Sequence, residues 1–395
     1  MQSPTLDSAH PPEAKLIDAC VHCGFCLSTC PSYRVLGTEM DSPRGRVYMM
    51  DALNQGEIDL TPAVVSHFDS CLGCLACTTT CPSGVQYDKL IASMRPQIER
   101  NHPRPLVEKL YRQSPHLAGM ESNLPELSLR TFQDTLPELI PAQGAKRYRV
   151  GMILGCVQKL FFDRVNQATV RVLTSNGCEI VIPQAQGCCA ALPHHQGQEE
   201  QAKTLARKMI DNFADTNVDA IIINAAGCGH TLKEYGELLQ DDPEYLQKAI
   251  DFSAKVKDVQ EFLAEIELTT KLLPISTETL RLVYQDACHL LHGQKISIQP
   301  RQLLKQIPNI ELKEPLDAAL CCGSAGVYNM LQPETANELG RQKVNNLVNT
   351  GATIIASANP GCTLQIAKHL ELQGHQTKIL HPIELIDFAI RGIII

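Results

Sequence analysis

The sequence contains no tryptophan and only nine tyrosines and nine phenylalanines. So few rings argue against recognition built on aromatic stacking. It has no excess of positive charge: 35 Lys and Arg face 43 Asp and Glu, for a net charge of −8. No basic field therefore draws it to nucleic acid or to anionic lipid. No run approaches the ~18 apolar residues of a membrane span, and Ala220–Ala226 is interrupted by Asn224. The first residues, MQSPTLDSAHPPEAK, lack the basic and apolar regions of a signal peptide. No G-x-G-x-x-G opens a helix after a strand, and there is no P-loop, so no nucleotide site is indicated. Glycine and proline number 24 each, together about 12% of the chain, well under the ~25–30% of low-complexity sequence. At 395 residues and 44% hydrophobic, the chain can bury two or three domain cores.

What the sequence does have is cysteine. Seventeen cysteines are too few for a disulfide scaffold, which needs ~8–10%. In a cytoplasmic chain, clustered thiols stay reduced and point to metal or redox chemistry. Eight of them form two copies of C-x2-C-x2-C-x3-C-P: CVHCGFCLSTCP from Cys20 to Pro31, and CLGCLACTTTCP from Cys71 to Pro82. Two-residue gaps let a loop wrap one iron–sulfur cubane with three thiolates. The fourth cysteine points away and ligates the other cubane. This assigns one [4Fe-4S] cluster to Cys20, Cys23, Cys26 and Cys81, and a second to Cys71, Cys74, Cys77 and Cys30. Zinc fits poorly, since it takes four ligands, often as two C-x2-C pairs. A three-ligand cluster would need a missing cysteine, and none is missing.

The 31–70 segment between the motifs is long and carries helical patterns. Pro43 can sit at a first helical position before Val47, Met50 and Leu53, and Pro62 opens a stretch with Val65 and Phe68. The first domain is therefore expected to be a helical ferredoxin. Arg44 and Arg46 bring two cations near the clusters. They could raise a cluster potential, or mark a solvated helix start. Helical periodicity continues from Tyr87 to Arg112. Prolines at 115, 125, 137 and 141 then mark a linker.

The rest is an internal repeat. Cys156, Cys188, Cys189 and Cys228 are spaced by 32, 1 and 39 residues, and Cys288, Cys321, Cys322 and Cys362 by 33, 1 and 40. In each copy an apolar strand ends at the first cysteine. A helix, a second strand, the Cys-Cys loop, a long amphipathic helix (Glu199–Phe213 or Glu334–Val348) and a third strand follow. Strand alternating with helix argues for parallel βαβ units, with the cysteines at the carboxyl ends of strands, where such sheets place their sites. These eight thiols could hold a third cluster, or zinc with help from His194, His195, His230, His289 or His292, or could be buried and inert. Cys178, at a strand start, reads as packing. The expected architecture is α+β and α/β multidomain: a two-cluster ferredoxin-type domain over 1–112, a linker over 113–146, and tandem cysteine-rich α/β repeats over 147–268 and 279–395.

Twin ferredoxin motifs followed by two cysteine-rich repeats resemble the iron–sulfur subunits of the glycolate oxidase, anaerobic glycerol-3-phosphate dehydrogenase, lactate-utilisation and heterodisulfide reductase group. ACVHCGFCLSTCPSYRVLG, DSPRGR, TTCPSGVQY, AAGCGHTLKEYG, LCCGSAGVY and ANPGC are most similar to the glycolate oxidase iron–sulfur subunit. The wider group has C…CCG…C-x-x-C. Here Ala225 and Asn359 replace the first cysteine of each last pair, and Ala190 replaces a glycine. That loss disfavours a noncubane cluster and favours the glycolate branch. The resemblance implies a cytoplasmic chain, at most peripheral on the cytoplasmic face of the inner membrane, that carries electrons and has no catalytic residue of its own. FAD would sit on a partner subunit that oxidises glycolate to glyoxylate. A second FAD-binding-type subunit would accompany it, with a quinone or other respiratory acceptor beyond. The alternatives are a related lactate or glycerol-3-phosphate dehydrogenase subunit, or a heterodisulfide-reductase-like subunit with redox-active repeats.

Overall fold

The computed structural model describes residues 6–106, 108–109 and 136–395. These form two compact units. The first holds the described residues before 110 together with Leu192–Gln201 and Ala319–Lys343. The second holds the described residues from 136 to 191, with Ala202–Ala318 and Val344–Ile395.

The first unit is built of helices, as the insertion between the motifs leads one to expect. Pro43 occupies the first turn of the helix Pro43–Gln55, whose start is capped by the Ser42 side chain accepting from the Gly45 amide. Pro62 likewise opens Pro62–Asp69, capped by Thr61. Their apolar faces, Val47, Met50, Leu53, Val65 and Phe68, bury against Leu90, Met94 and Ile98 of Tyr87–Asn101. Each such side chain contributes roughly 1.5–3 kcal/mol. The third helix stops at Asn101, short of the expected Arg112, with Pro103 two residues on. Proline and the residue before it leave helical geometry. Residues 106, 108 and 109 are helical again, and residues 107, 110–112 and 113–135 of the expected pattern and linker lie outside the described residues.

Gly45 is fixed by a close approach. A methyl there would lie 2.1 Å from the Glu39 carbonyl oxygen and 2.9 Å from Met40 Cα, both backbone atoms. Gly45→Ala is therefore expected to cost about 3 kcal/mol by forcing backbone apart. Gly56→Ala, where a methyl meets nothing within 4 Å but φ is +71°, should cost only about 1 kcal/mol. Denaturant midpoints of the two variants check the contrast.

The second unit contains two sheets. The first has the order β1-β3-β2-β4-β5, made from Leu139–Ile140, Cys178–Val181, Tyr148–Met152, Ala220–Ile223 and Val256–Asp258 in that spatial order. The second has the order β7-β6-β8-β9, from Ile310–Lys313, Leu280–Gln285, Ile354–Ser357 and Lys378–Leu380. All pairs are parallel except β1 with β3. Setting β1 aside, the two orders are the same, so the cysteine repeat is a repeat of topology. The amphipathic helices fall at Glu199–Phe213 and Pro333–Val348. Each copy closes with a helix entered through a capping box, Asp258 with Glu261 in one and His381 with Glu384 in the other. One apolar core runs through both copies, from Val150 and Ile180 to Leu282, Tyr284 and Leu385. The C-terminal helix Pro382–Arg391 buries Ile383, Leu385, Ile386 and Ala389 completely, so its apolar face is core.

Candidate iron–sulfur site

The two cysteine motifs adopt one backbone shape. His22 and Gly24 in the first have φ of +53° and +84°, and Gly73 and Leu75 in the second have +61° and +62°. Each loop thus reads Cys, any residue, left-handed, Cys, left-handed, any residue, Cys. Only one of each left-handed pair is glycine, at alternate places. Left-handed turns between helical residues aim successive amides to one side and form an anion cradle. The Gly73 amide donates to Cys71 Sγ at 3.4 Å.

Space of about 430 Å³, part of it open to solvent, is lined by Cys20, Cys23, Cys26 and Cys81, with Cys77 and Arg44 also on its wall. Three of the first four come from one motif and the fourth from the other. The remaining cysteines are more deeply set: Cys30, Cys71, Cys74 and Cys77 are buried, while Cys23 is exposed. Burial pushes the Cys77 thiol far up, and the neighbouring Cys74, Cys71, Cys30 and Cys26 push it the same way. Burial also raises Cys26, with Cys20 and Cys30 adding to it. A cation held among such thiolates would offset that repulsion, which is the chemistry iron supplies.

Cations and donors offset part of that crowding. Burial opposes ionisation of Cys71, yet Arg46, Arg95, the Gly73 amide and the Tyr87 hydroxyl hold its pKa below the ordinary value. Tyr87 donates to Cys71 Sγ at 3.6 Å, and Arg95 donates to the Cys71 carbonyl at 2.9 Å and to His195 at 3.3 Å. Arg44 makes the matching contact on the first loop, donating to the His22 carbonyl at 2.9 Å. Arg46 corrects the reading of a solvated helix start, being only 1% exposed. Tyr328, from the 319–343 segment of the same unit, donates to the Ser70 carbonyl at 3.2 Å. Arg95 carries no signal in the sequence, since no motif or spacing links it to the cysteines, and Tyr328 closes LCCGSAGVY without any sign that it reaches the second cysteine loop.

In the first repeat, hydrogen bonds run from Cys156 to Cys188, Cys188 to Cys189 and Cys189 to Cys228. The bond with Cys156 lowers the Cys188 thiol, but the bond with Cys189 and burial carry it up to about 12. Tyr235, fully buried, donates to the Cys189 carbonyl at 3.0 Å. In the second repeat, Cys288 and Cys362 belong to the second unit, and Cys321 and Cys322 to the first. Asn359, standing where the wider group has a cysteine, donates to Cys362 Sγ at 3.4 Å. Ala190 holds φ of +66° where the other copy has Gly323 at +84°, so the altered residue keeps the loop shape. Cys178 is fully buried in the core, and burial pushes its thiol up to about 12. His230 and His289 lie with ring centroids 4.8 Å apart, and His292 is buried. Among the described residues, no three His, Cys, Asp or Glu side chains converge as on a single metal ion. No described helix is long and apolar enough to cross a membrane.

Comparison with known proteins bears on both units. The family described as "4Fe-4S dicluster domain" matches residues 16–85, and "Cysteine-rich domain" matches 150–233 and 282–367. The chain therefore carries iron–sulfur clusters. A crystal structure of a hypothetical protein from Helicobacter pylori has the same fold, with a TM-score of 0.54 over 88% of this chain and 68% of that one, at 9% identity. The probable glycolate oxidase iron-sulfur subunit of Bacillus subtilis is 37% identical, the alignment covering 96% of this chain and 94% of that protein. The glycolate oxidase iron-sulfur subunit of Escherichia coli is 34% identical, over 95% and 94% respectively. Likeness at that level, sustained from the twin cysteine loops to the last helix, makes this chain a member of the glycolate oxidase iron–sulfur subunit family.

Proposed function

We propose that the chain is the electron-carrying subunit of a complex in which a flavin-bearing partner oxidises glycolate to glyoxylate. Cys20, Cys23, Cys26 and Cys81 would hold one [4Fe-4S] cubane, and Cys30, Cys71, Cys74 and Cys77 the other. The observation that carries this reading is the cavity lined by three cysteines of the first motif together with Cys77 and Cys81 of the second. Bound there, a cubane takes up one electron at a time, whereas hydride removal from a 2-hydroxy acid at flavin delivers two. The buried cysteines keep water from one site. The exposed Cys23, flanked by Val21 and Phe25 at 66% and 63% exposure, gives the other an edge that a redox partner can approach. A second FAD-binding-type subunit and a quinone or other respiratory acceptor complete the proposed assembly. The domain division that goes with it is 1–112, a linker over 113–146, and repeats over 147–268 and 279–395.

A second reading, with a redox-active first repeat, draws on the hydrogen-bonded thiols from Cys156 to Cys228. One experiment addresses both: iron and acid-labile sulfide analysis with EPR on anaerobically purified protein. About eight irons per chain are expected for two cubanes, and about twelve would favour a third in the repeats. Iron-free protein that still supports glycolate-dependent respiration would overturn the proposal.

A further inference from the structure

Arg44 and Arg46 flank Gly45 at the start of one helix. Residues two apart on a helix point to nearly opposite sides. The two guanidinium groups therefore face different surroundings. Arg44 lies beside the first loop, its Nη1 2.8 Å from where a methyl on Gly24 would be. Its Nε and Nη2 are already taken by the Glu39 carboxylate, at 2.7 and 3.1 Å. That ion pair is partly exposed to solvent, so its field is both neutralised and screened.

Arg46 is enclosed. Its Nε donates to the His67 carbonyl at 2.6 Å, and its Nη2 donates to Ser32 Oγ at 3.0 Å and Ser70 Oγ at 2.7 Å. Ser32 Oγ lies 3.2 Å from Cys30 Sγ, and Ser70 precedes Cys71 in the chain. The guanidinium thus stands behind two cysteines of the buried set, one from each motif. Asp41 is the nearest carboxylate, at 3.8 Å. Its Oδ1 is shared with the Ser70 hydroxyl at 2.6 Å and with His67 Nδ1 at 2.9 Å, so it balances Arg46 incompletely. A guanidinium does not shed its proton. A fixed cation in a low-dielectric interior stabilises whichever neighbouring state carries more negative charge. For an iron–sulfur cubane that is the reduced state. Arg95, donating to the Cys71 carbonyl, adds a second cation to the same set.

We propose that Arg46 sets the reduction potential of the cluster held by Cys30, Cys71, Cys74 and Cys77, keeping it above that of the cluster held by Cys20, Cys23, Cys26 and Cys81. Arg95 acts in the same direction. This rests on the ligand sets proposed above. Each reduction adds one electron, with no bond made or broken and no proton bound.

The test is an EPR-monitored titration of the anaerobic, cluster-loaded protein with dithionite and mediators. Wild type should show two one-electron waves. Arg46→Gln should weaken the more positive wave at least tenfold in its reduction equilibrium, about 59 mV, and leave the other in place. Arg46→Lys, which keeps the charge, should restore most of the difference. Arg95→Gln should shift the same wave by a smaller amount, and Arg44→Gln should not move it. An Arg46→Gln protein whose more positive wave stays put, or whose more negative wave moves instead, overturns the proposal. Should Arg46→Gln fail to fold or load iron, Arg95→Gln decides, and an unmoved positive wave in that variant overturns it equally. Wild-type protein without two cubanes would instead sink the ligand assignment, a different and separately visible failure.

Discussion

Cys77→Ser is expected to lower the iron content from about eight to about four per chain and to reduce electron flow from substrate to an artificial dye to background. Cys77 is buried, and burial together with Cys74, Cys71 and Cys30 holds its thiol far above the ordinary range. A bound metal would favour the thiolate form there. Serine matches the shape but not the chemistry, because its hydroxyl ionises far less readily and is a harder ligand than iron–sulfur clusters select. Cys77 belongs to the same apolar core as Leu90, Met94 and Ile98, but it lies on the one-turn helix Ala76–Thr80, and serine changes only its terminal atom and leaves the rest of that core filled. Assembly with partner subunits should therefore survive in part. Iron analysis and dye reduction on the assembled complex check the two halves of the expectation. Unchanged dye reduction would mean that the clusters are structural and the chain only an assembly module.

The second large effect is on acid stability, and it centres on His381. This imidazole joins the two repeats. Its Nδ1 accepts from the Ile383 amide at 3.1 Å, and its Nε2 bonds the Asn224 carbonyl at 3.0 Å. Burial pushes its pKa from 6.5 down to about 3, against a small opposing pull from the Asn224 carbonyl. The folded protein therefore binds fewer protons than the unfolded chain between those values. Stability from this group is full above pH 6.5 and is lost as pH falls toward 3, by roughly 5 kcal/mol at most. Asp258, at the equivalent cap of the other repeat, works oppositely. Burial raises it to about 6, against hydrogen bonds from Gln260, so its contribution is lost as pH rises from 3.8 through 6. Glu384, raised by burial despite Arg164, has the same sign as Asp258. The difference between wild type and His381→Asn removes both carboxylates from the comparison, and asparagine preserves the cap. Thermal midpoints should diverge below pH 6.5, the variant holding up better. Parallel curves from pH 7 to 4 would contradict this.

Much of the architecture was legible because local signals agreed with the fold. Proline at the first helical turn marked Pro43 and Pro62. Amphipathic spacing marked Glu199–Phe213, and apolar runs marked β2, β4, β6 and β8. What escaped was either short or non-local. β5 and β9 have three residues each and β1 has two, too few for any period to appear. The left-handed turns at His22 and Leu75 gave no sign because neither residue is glycine. The union of Leu192–Gln201 and Ala319–Lys343 with the first unit depends on contacts more than ninety residues apart in sequence, as between Arg95 and His195. The cysteines announced themselves through spacing. The burial of Arg46 did not, since charge beside a helix start usually means solvent.

The proposed exchange of one sulfur between the two loops bears on how the protein would mature. A chain still on the ribosome and ending before residue 81 has Cys20, Cys23 and Cys26 but lacks Cys81, the fourth thiol proposed for the first cubane. Metal delivered at that stage would meet an incomplete cage. On the proposed ligand sets, filling the first cage would await synthesis of the second motif, and excising that motif would leave neither cage whole.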